Sequence, residues 1–238
     1  MSPAAAASFI VPAYNEETLL DGCIRQLHAS ARQLGLAAEI VIVDDGSRDR
    51  TPAIADTLAR ELPGVVALHQ ANQGIGGAFR TGTQRATGEY LILWPADMPA
   101  EPADLAPYLS AFGRADVIVG VRAARVGYNP LMRLNAWLYP RLVAGLFGLR
   151  LRDVNWIHAY RRSRFAGLTL TQRGIPMLVE ALVRLRDLGA TFTEVDVAMK
   201  VRLGGVASAS RFRVMWRTLT GLLVFWILWQ RERRTRSA

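Results

Sequence analysis

The sequence is poor in the residues that staple small folds or clamp structural metals. Of 238 residues only Cys23 is a cysteine, and only His28, His69 and His158 are histidines. One thiol excludes an internal disulfide framework and a thiolate metal site. Cys23 lies in an apolar helical stretch and reads as a small core residue. The three histidines lack metal-ligand spacing. They read as structural or exposed, with His158 a minor candidate for touching a bound ligand. Lysine is nearly missing: Lys200 is the only one among 29 basic residues, so the formal charge of +9 is carried by arginine. The bias reads either as a coding preference or as attraction to phosphate ligands and anionic membranes. The arginines are not interleaved with aromatics and no DNA- or RNA-binding motif appears, so nucleic acid is not expected as a partner. The first residues, Met1 to Ser8, have no basic start and no long apolar core. They do not read as a signal peptide, and the expectation is a cytoplasmic protein. No phosphate-cradling Gly-rich fingerprint follows the first apolar run, which argues against direct phosphate contact there.

What is present is alternation. With 51% hydrophobic and 21% charged residues the chain is long enough for one α/β domain with a full core. Short apolar runs near 8–12, 39–44, 65–69, 89–94 and 116–120 predict strands. Helical patterns near 16–34, 50–61, 76–87 and 102–112 lie between them, which predicts a mostly parallel, doubly wound sheet. Two runs break into polar tips, Phe9 to Glu17 (FIVPAYNEE) and Val41 to Asp49 (VIVDDGSRD). Ligands of open α/β sheets bind at the C-terminal ends of strands. Glu16, Asp44 and Asp45 are therefore expected on the rim of one crevice. An acidic rim suits a base, a ribose or a bridging metal.

Gly127 to Pro130 is the clearest break. After it, residues 131–149 are amphipathic and aromatic-rich. Leu134, Leu138, Leu142 and Gly145 can share one helical face, either packed on the sheet or lying in a lipid interface. Near the C-terminus, Arg211, Arg213 and Arg217 precede an uncharged run of eleven residues, Leu219 to Trp229, and more arginines follow. A bilayer span needs about twenty residues. This run is apolar nearly all round and must be buried in lipid, in its own domain, in a second subunit or in a membrane protein.

The pair V-P-A-Y-N-E-E and V-D-D-G-S-R-D resembles the opening of a family 2 glycosyltransferase of the GT-A fold. The resemblance is to the polyprenyl-phosphate (dolichol-phosphate) mannosyl- and glucosyltransferases, and it covers roughly residues 8 to 210. It implies a GT-A domain over 1–210, followed by a basic, apolar interface or docking helix over 211–238. Donor binding falls to Pro12, Tyr14, Glu16 and Asp44, with Asp45 and Ser47 shaping the turn. Asn72 to Ala78 (NQGIGGA) resembles a family segment in which Gly74 and Gly76 let a helix start approach the nucleotide. Ile75 stands where the family often has lysine. Leu91 to Pro99 (LILWPADMP) falls where the family carries Asp-x-Asp. Pro95 replaces the first aspartate, which leaves Asp97 as the implied ligand of Mg²⁺ or Mn²⁺. Arg122, at the end of a strand, Arg152 beside Asp153, and Arg202 in the loop before the last helix are the implied acceptor-phosphate clamp. The Ser and Gly expected after Asp153 are replaced by Asn155 and Trp156.

The implied reaction is inverting transfer of a hexose from a nucleoside diphosphate sugar to a polyprenyl phosphate, peripheral to the cytoplasmic face of a membrane. Asp97, Asp153 and Arg122 are its catalytic candidates. A phosphate acceptor is already ionised near neutral pH and needs no strong base. Two alternatives are a hydroxyl acceptor with Asp153 as base, and a nucleotide-sugar-binding accessory protein without turnover, which Pro95 and Pro99 would suit.

Overall fold

The computed structural model describes residues 6–123, 128–172, 174–198 and 212–236. Seven strands form one sheet in the order β3-β2-β1-β4-β6-β5-β7. Its first half is the alternation read from the sequence. Strand β1 (Ala7–Ala13) pairs in parallel with β2 (Ala38–Asp44) and with β4 (Tyr90–Leu93), and β3 (Val65–His69) extends β2. Helices α1 (Leu20–Gln33), α2 (Thr51–Glu61), α3 (Gly74–Arg85) and α4 (Pro102–Ala111) make the crossovers. The interiors of β1 and β2 are fully buried, as expected of parallel strands covered on both faces.

The second half departs from simple alternation. Strand β5 (Val117–Arg122) is followed by helix α5 (Pro130–Phe147). The short β6 (His158–Arg161) then inserts antiparallel between β4 and β5, and β7 (Phe192–Val197) closes the edge parallel to β5. The sequence reading placed neither β6 nor β7. β6 has only four residues, two of them His and Arg, and β7 interleaves Glu194 and Asp196 with its apolar residues.

Two cores flank the sheet. One gathers Phe9, Ile42, Trp94 and Tyr108 beneath α1, α2 and α4. The other gathers Val119, Phe79 and Tyr160 with α5, α7 (Pro176–Asp187) and α8 (Phe212–Arg236); the one-turn α6 (Arg162–Phe165) lies between β6 and α7. In α5 the buried residues are Tyr139, Val143 and Phe147, spaced i, i+4, i+8. Leu134 and Leu138, which the periodicity grouped on one face, point outward and are half exposed.

Helix α8 is fixed along one face. Leu222, Phe225 and Trp229 are buried, and Phe225 stacks on Phe147 at 5.1 Å between ring centroids. Trp226 Nε1 donates to the Leu146 carbonyl at 2.9 Å, and Trp229 Nε1 to Asp187 at 2.6 Å. Arg184 joins the fully buried Glu180 to Glu232 of α8, with bonds of 2.9 Å on each side. Burying each of the three large apolar side chains is worth about 1.5–3 kcal/mol. The inner face of this helix therefore belongs to the domain.

Candidate active-site crevice

The C-terminal ends of β1 and β2 open side by side, because Ala13 registers against Asp44. The loops that leave them are laced together. Asn15 sits in the left-handed region at φ 56°, a conformation asparagine tolerates. Its amide donates to Ser47 Oγ at 3.0 Å, and its side chain accepts from the Arg48 amide at 2.9 Å. The Glu16 amide donates to Thr51 Oγ1 at 2.8 Å, and Glu17 accepts from the Arg50 amide at 3.0 Å. These bonds turn Tyr14 outward, leaving it 45% exposed at the rim, with Pro12 and Glu16 partly covered behind it.

Asp44 and Asp45 are both buried, and they do different things. Asp45 is a helix cap supplied from another strand. One oxygen accepts from the Gln73 amide at 2.8 Å and from Gln70 Nε2 at 2.6 Å; the other accepts from the Gly74 amide at 2.8 Å. Those amides open α3, whose own N-cap residue makes no side-chain bond. Gly46 must be glycine, since φ is 76° and a Cβ would lie 2.9 Å from the Asn72 nitrogen. Asp44 accepts from the Ser47 amide at 3.1 Å and contacts His69 Nδ1 at 3.3 Å, while His69 Nε2 lies 3.0 Å from Asp56. The two carboxylates hold the His69 pKa above its ordinary value, Asp56 foremost. His69 is thus the orienting partner of Asp44, a role the sequence reading missed. Its place at the end of β3, registered against Asp44, is the signal that could have found it. Gly74 opens α3, and Gly76 is buried in its first turn.

Asp97 lies in the turn after β4. Trp94 pins that turn by donating its Nε1 to the Met98 carbonyl at 2.9 Å. Burial pushes the Cys23 thiol up to about 11, and the charges of Asp97 and Glu16 add to the rise. Strand β4 runs parallel beside β1, so the ends of β1 and β4 open on a common crevice. Among the described residues no three His, Cys, Asp or Glu side chains group as a metal site. Asp97 alone fits Mg²⁺ in the manner in which that ion takes one carboxylate and completes its shell with substrate phosphate oxygens and water.

The acceptor-side candidates do not converge as one clamp. The Arg122 side chain is only 8% exposed, and all three of its nitrogens are engaged: Nε and Nη2 donate to Asp153 at 2.7 and 2.8 Å, Nη1 to Tyr128 Oη at 2.7 Å, and Nη2 also to Asn155 at 2.6 Å. Its guanidinium lies over Trp156 at 4.9 Å. Arg152 is exposed and binds Glu194 and Asp196 at 3.0 and 2.9 Å. Asp196 registers against Val121, so Arg152 and Arg122 stand on opposite faces of the sheet. Each arginine has taken the acids nearest to it. Arg202 lies outside the described residues. Asp153 is 1% exposed; burial alone would raise its pKa, but the bond and charge of Arg122 outweigh it and hold the carboxyl below its usual range. His158 is buried within the sheet against Tyr160, which removes it as a candidate for acceptor contact. Burial lowers its pKa to about 4, against an opposing pull from Asp153.

A parallel sheet with an acidic strand-end crevice and an antiparallel insert is the GT-A class of fold. The chain belongs to glycosyl transferase family 2, whose sequence profile matches residues 8–170. It is 30% identical over 220 residues to an undecaprenyl-phosphate 4-deoxy-4-formamido-L-arabinose transferase of Pseudomonas aeruginosa, covering 90% of this chain but 63% of that protein. It is also 30% identical to an undecaprenyl-phosphate mannosyltransferase of Micrococcus luteus, covering 84% of this chain and 86% of that one. Among solved structures, a glucosyl-3-phosphoglycerate synthase of Mycobacterium tuberculosis in complex with Mn²⁺, UDP-glucose and phosphoglyceric acid superposes with a TM-score of 0.67. It is 18% identical and covers 92% of this chain and 79% of that one.

Proposed function

We propose that this protein is an inverting glycosyltransferase that moves a sugar from a nucleoside diphosphate to a polyprenyl phosphate. The observation that carries the acceptor class is the state of Asp153. Both of its oxygens are engaged by a buried guanidinium and its pKa is lowered. A carboxylate held so tightly makes a poor proton acceptor. A hydroxyl acceptor would need a base, whereas a phosphate arrives ionised. The relatives named for undecaprenyl-phosphate transfer support the same choice.

In this reading Pro12, Tyr14, Glu16 and Asp44 hold the nucleoside, with His69 fixing the Asp44 oxygens. Gly74 and Gly76 let the start of α3 approach it. Asp97 would hold Mg²⁺ or Mn²⁺, which supplies positive charge to the leaving diphosphate when bound. Arg122 acts with Asp153 as a rigid pair that shapes the acceptor side and sets Trp156 beside it. Arg202, by resemblance alone, is the arginine that meets the acceptor phosphate; Arg152, on the other face of the sheet, is held by Glu194 and Asp196. The attacking oxygen is held on the face of the sugar opposite the leaving group, so displacement is in line and the anomeric configuration inverts. The setting is the cytoplasmic face of a membrane.

The test is a transfer assay with radiolabelled UDP-glucose, UDP-GlcNAc or GDP-mannose, polyprenyl phosphate in detergent, and Mg²⁺ or Mn²⁺. Label in the lipid extract from one donor, lost with EDTA, is expected. Asp97→Ala is expected to lower turnover by roughly a thousandfold, as loss of a group stabilising transition-state charge does, with little change in nucleoside binding. Full activity in that variant would remove the metal role. Transfer only to hydroxyl acceptors would overturn the acceptor class.

A further inference from the structure

The C-terminal edge of the sheet carries one more side chain than the site above uses. Strand β6 runs antiparallel between β4 and β5, so its start, not its end, lies beside their C-terminal ends. Along that edge stand Asp44 at the end of β2, Tyr14 and Glu16 after β1, Asp97 after β4, Trp156 just before β6, and Arg122 at the end of β5. A nucleoside diphosphate sugar is laid out in the same line: base and ribose, then diphosphate, then sugar. With the nucleoside at β2 and β1 and the diphosphate at Asp97, the sugar falls one strand further on. Neighbouring strands lie about 4.8 Å apart, and the residue at that step is Trp156.

Trp156 is held still from two sides. The Tyr108 hydroxyl donates to the Ile157 carbonyl at 2.9 Å, which fixes the backbone beside it. The Arg122 guanidinium lies over its ring at 4.9 Å and is itself locked by Asp153, Tyr128 and Asn155. Between Trp156 and the turn that carries Asp97, a cleft lined by Trp94, Met98, Pro99 and Tyr108 holds about 10 Å³, room for no more than one water. Nothing larger passes beneath the indole, so a ligand meets Trp156 from the solvent side. That side offers a hydrogen-bond donor. Trp94, Trp226 and Trp229 each donate Nε1 to a protein oxygen. Trp156 is partly buried like Trp226, yet its Nε1 reaches solvent and has no protein acceptor among the described residues. An indole N–H only donates, so its partner must be an oxygen of the ligand or of water. The family motif has a small residue here, so this contact is not one the motif supplies.

We propose that Trp156 determines which sugar is transferred, its Nε1 donating to one hydroxyl of the donor's sugar. This rests on the transfer reading, which sets the direction of the donor along the edge. A site that presents an N–H to a substrate hydroxyl discriminates against a sugar lacking that hydroxyl or turning it away, because the donor is then left without its partner.

Calorimetric titration of the full chain with UDP, UDP-glucose, UDP-GlcNAc, GDP and GDP-mannose, each with Mg²⁺, tests this without an acceptor. One of the nucleotide sugars is expected to bind. Trp156→Phe keeps an aromatic ring and loses the N–H. It should weaken that nucleotide sugar about fivefold, the worth of one neutral hydrogen bond, and leave the bare nucleotide within twofold. Monodeoxy analogues of the same donor complete the cycle. One of them should bind the wild type about fivefold more weakly than the parent, and should lose nothing further on Trp156→Phe. Equal binding of every monodeoxy analogue to the wild type would overturn the proposal even if the variant failed to fold. So would an unchanged nucleotide-sugar affinity in a Trp156→Phe protein that melts at the wild-type temperature. A change confined to the KM for polyprenyl phosphate would assign the indole to the acceptor and overturn it too. Sugar-dependent binding that Trp156→Phe removes, with no transfer to polyprenyl phosphate, would leave the proposal standing and remove the transferase. Transfer that Trp156→Phe leaves untouched would do the reverse, and no binding of any of the three nucleotide sugars would overturn both.

Discussion

Two buried carboxylates, Asp45 after β2 and Asp153 between α5 and β6, are held in opposite ways. Asp45 is held by neutral donors, two backbone amides and a glutamine side chain, all between residues 70 and 74. Asp153 is held by one guanidinium, from a strand 31 residues earlier in the chain. The first arrangement is turn chemistry: neutral donors satisfy the carboxylate, and no opposite charge is taken out of water. The second removes two full charges from water, and the attraction between them repays that only while both are present. The geometry around Asp45 is thus distributed over several modest bonds, whereas that around Asp153 hangs on a single strong pair. The same substitution should therefore have different consequences at the two sites.

The largest difference is expected from Asp153→Asn. It leaves the Arg122 charge buried against an amide, and breaking such a pair costs about 3–5 kcal/mol. In a chain of this size that lowers the melting temperature by roughly 10 °C. Arg122→Met combined with Asp153→Leu should recover most of the loss, because removing both charges is often close to neutral. Urea unfolding of the two variants decides it. A single-variant loss below about 1 kcal/mol, within the range of an exposed ion pair, would show that the pair is solvated.

A pH series sharpens the same contrast without mutation. His158, 1% exposed on the inner strand β6, is kept neutral by burial, which lowers its pKa to about 4 against an ordinary 6.5. Below pH 6.5 the unfolded chain binds a proton that the folded chain refuses. Stability should therefore fall as pH drops from 6.5 toward 4, by about 3 kcal/mol in all. Asp153 acts mainly below this window. Its folded pKa is lowered, so its contribution is present above the unfolded value and is lost only at lower pH. His69, on the donor side, has the opposite sign: its raised pKa gives stability that is present below the unfolded value and lost as pH rises through the folded one. His158→Phe should flatten the slope between 6.5 and 4. An unchanged slope would assign it to another group.

This contrast also explains what the sequence could reveal. The first five strands and their crossovers were legible because buried parallel strands are short apolar runs that end in polar turns. The residues proposed for the donor lie within those turns, so Glu16, Asp44 and Asp97 could be named from contiguous motifs. The acceptor side is assembled from distant pieces. Nothing local told Arg122 from Arg152, because what separates them is which acid lies nearest in the fold, Asp153 for one and Glu194 with Asp196 for the other. His69 was passed over for a similar reason, since its partners Asp44 and Asp56 come from β2 and α2. The leucine pattern of α5 was visible, but not which stripe of the helix faced inward.

The smallest expected effect is at Asp45, and it tests whether the donor side is as tolerant as its bonding implies. In Asp45→Asn the amide oxygen can keep the Gln73 amide and the Gln70 side chain, but its NH₂ group then faces the Gly74 amide, donor against donor. One bond of three is lost at the start of α3, a cost of about 1–2 kcal/mol for an unsatisfied amide near the surface. Asp45→Ala loses all three and should cost more, still short of the Asp153 loss because no buried charge is stranded. The start of α3 also presents Gly74 and Gly76 to the nucleotide in the proposed site. The asparagine variant should therefore raise the KM for the sugar donor severalfold while leaving kcat within about twofold, since the lost bond positions the binding loop and touches no reacting atom. A drop in kcat at unchanged KM would instead place Asp45 in the chemistry, and a stability loss matching that of Asp153→Asn would erase the difference between the two sides.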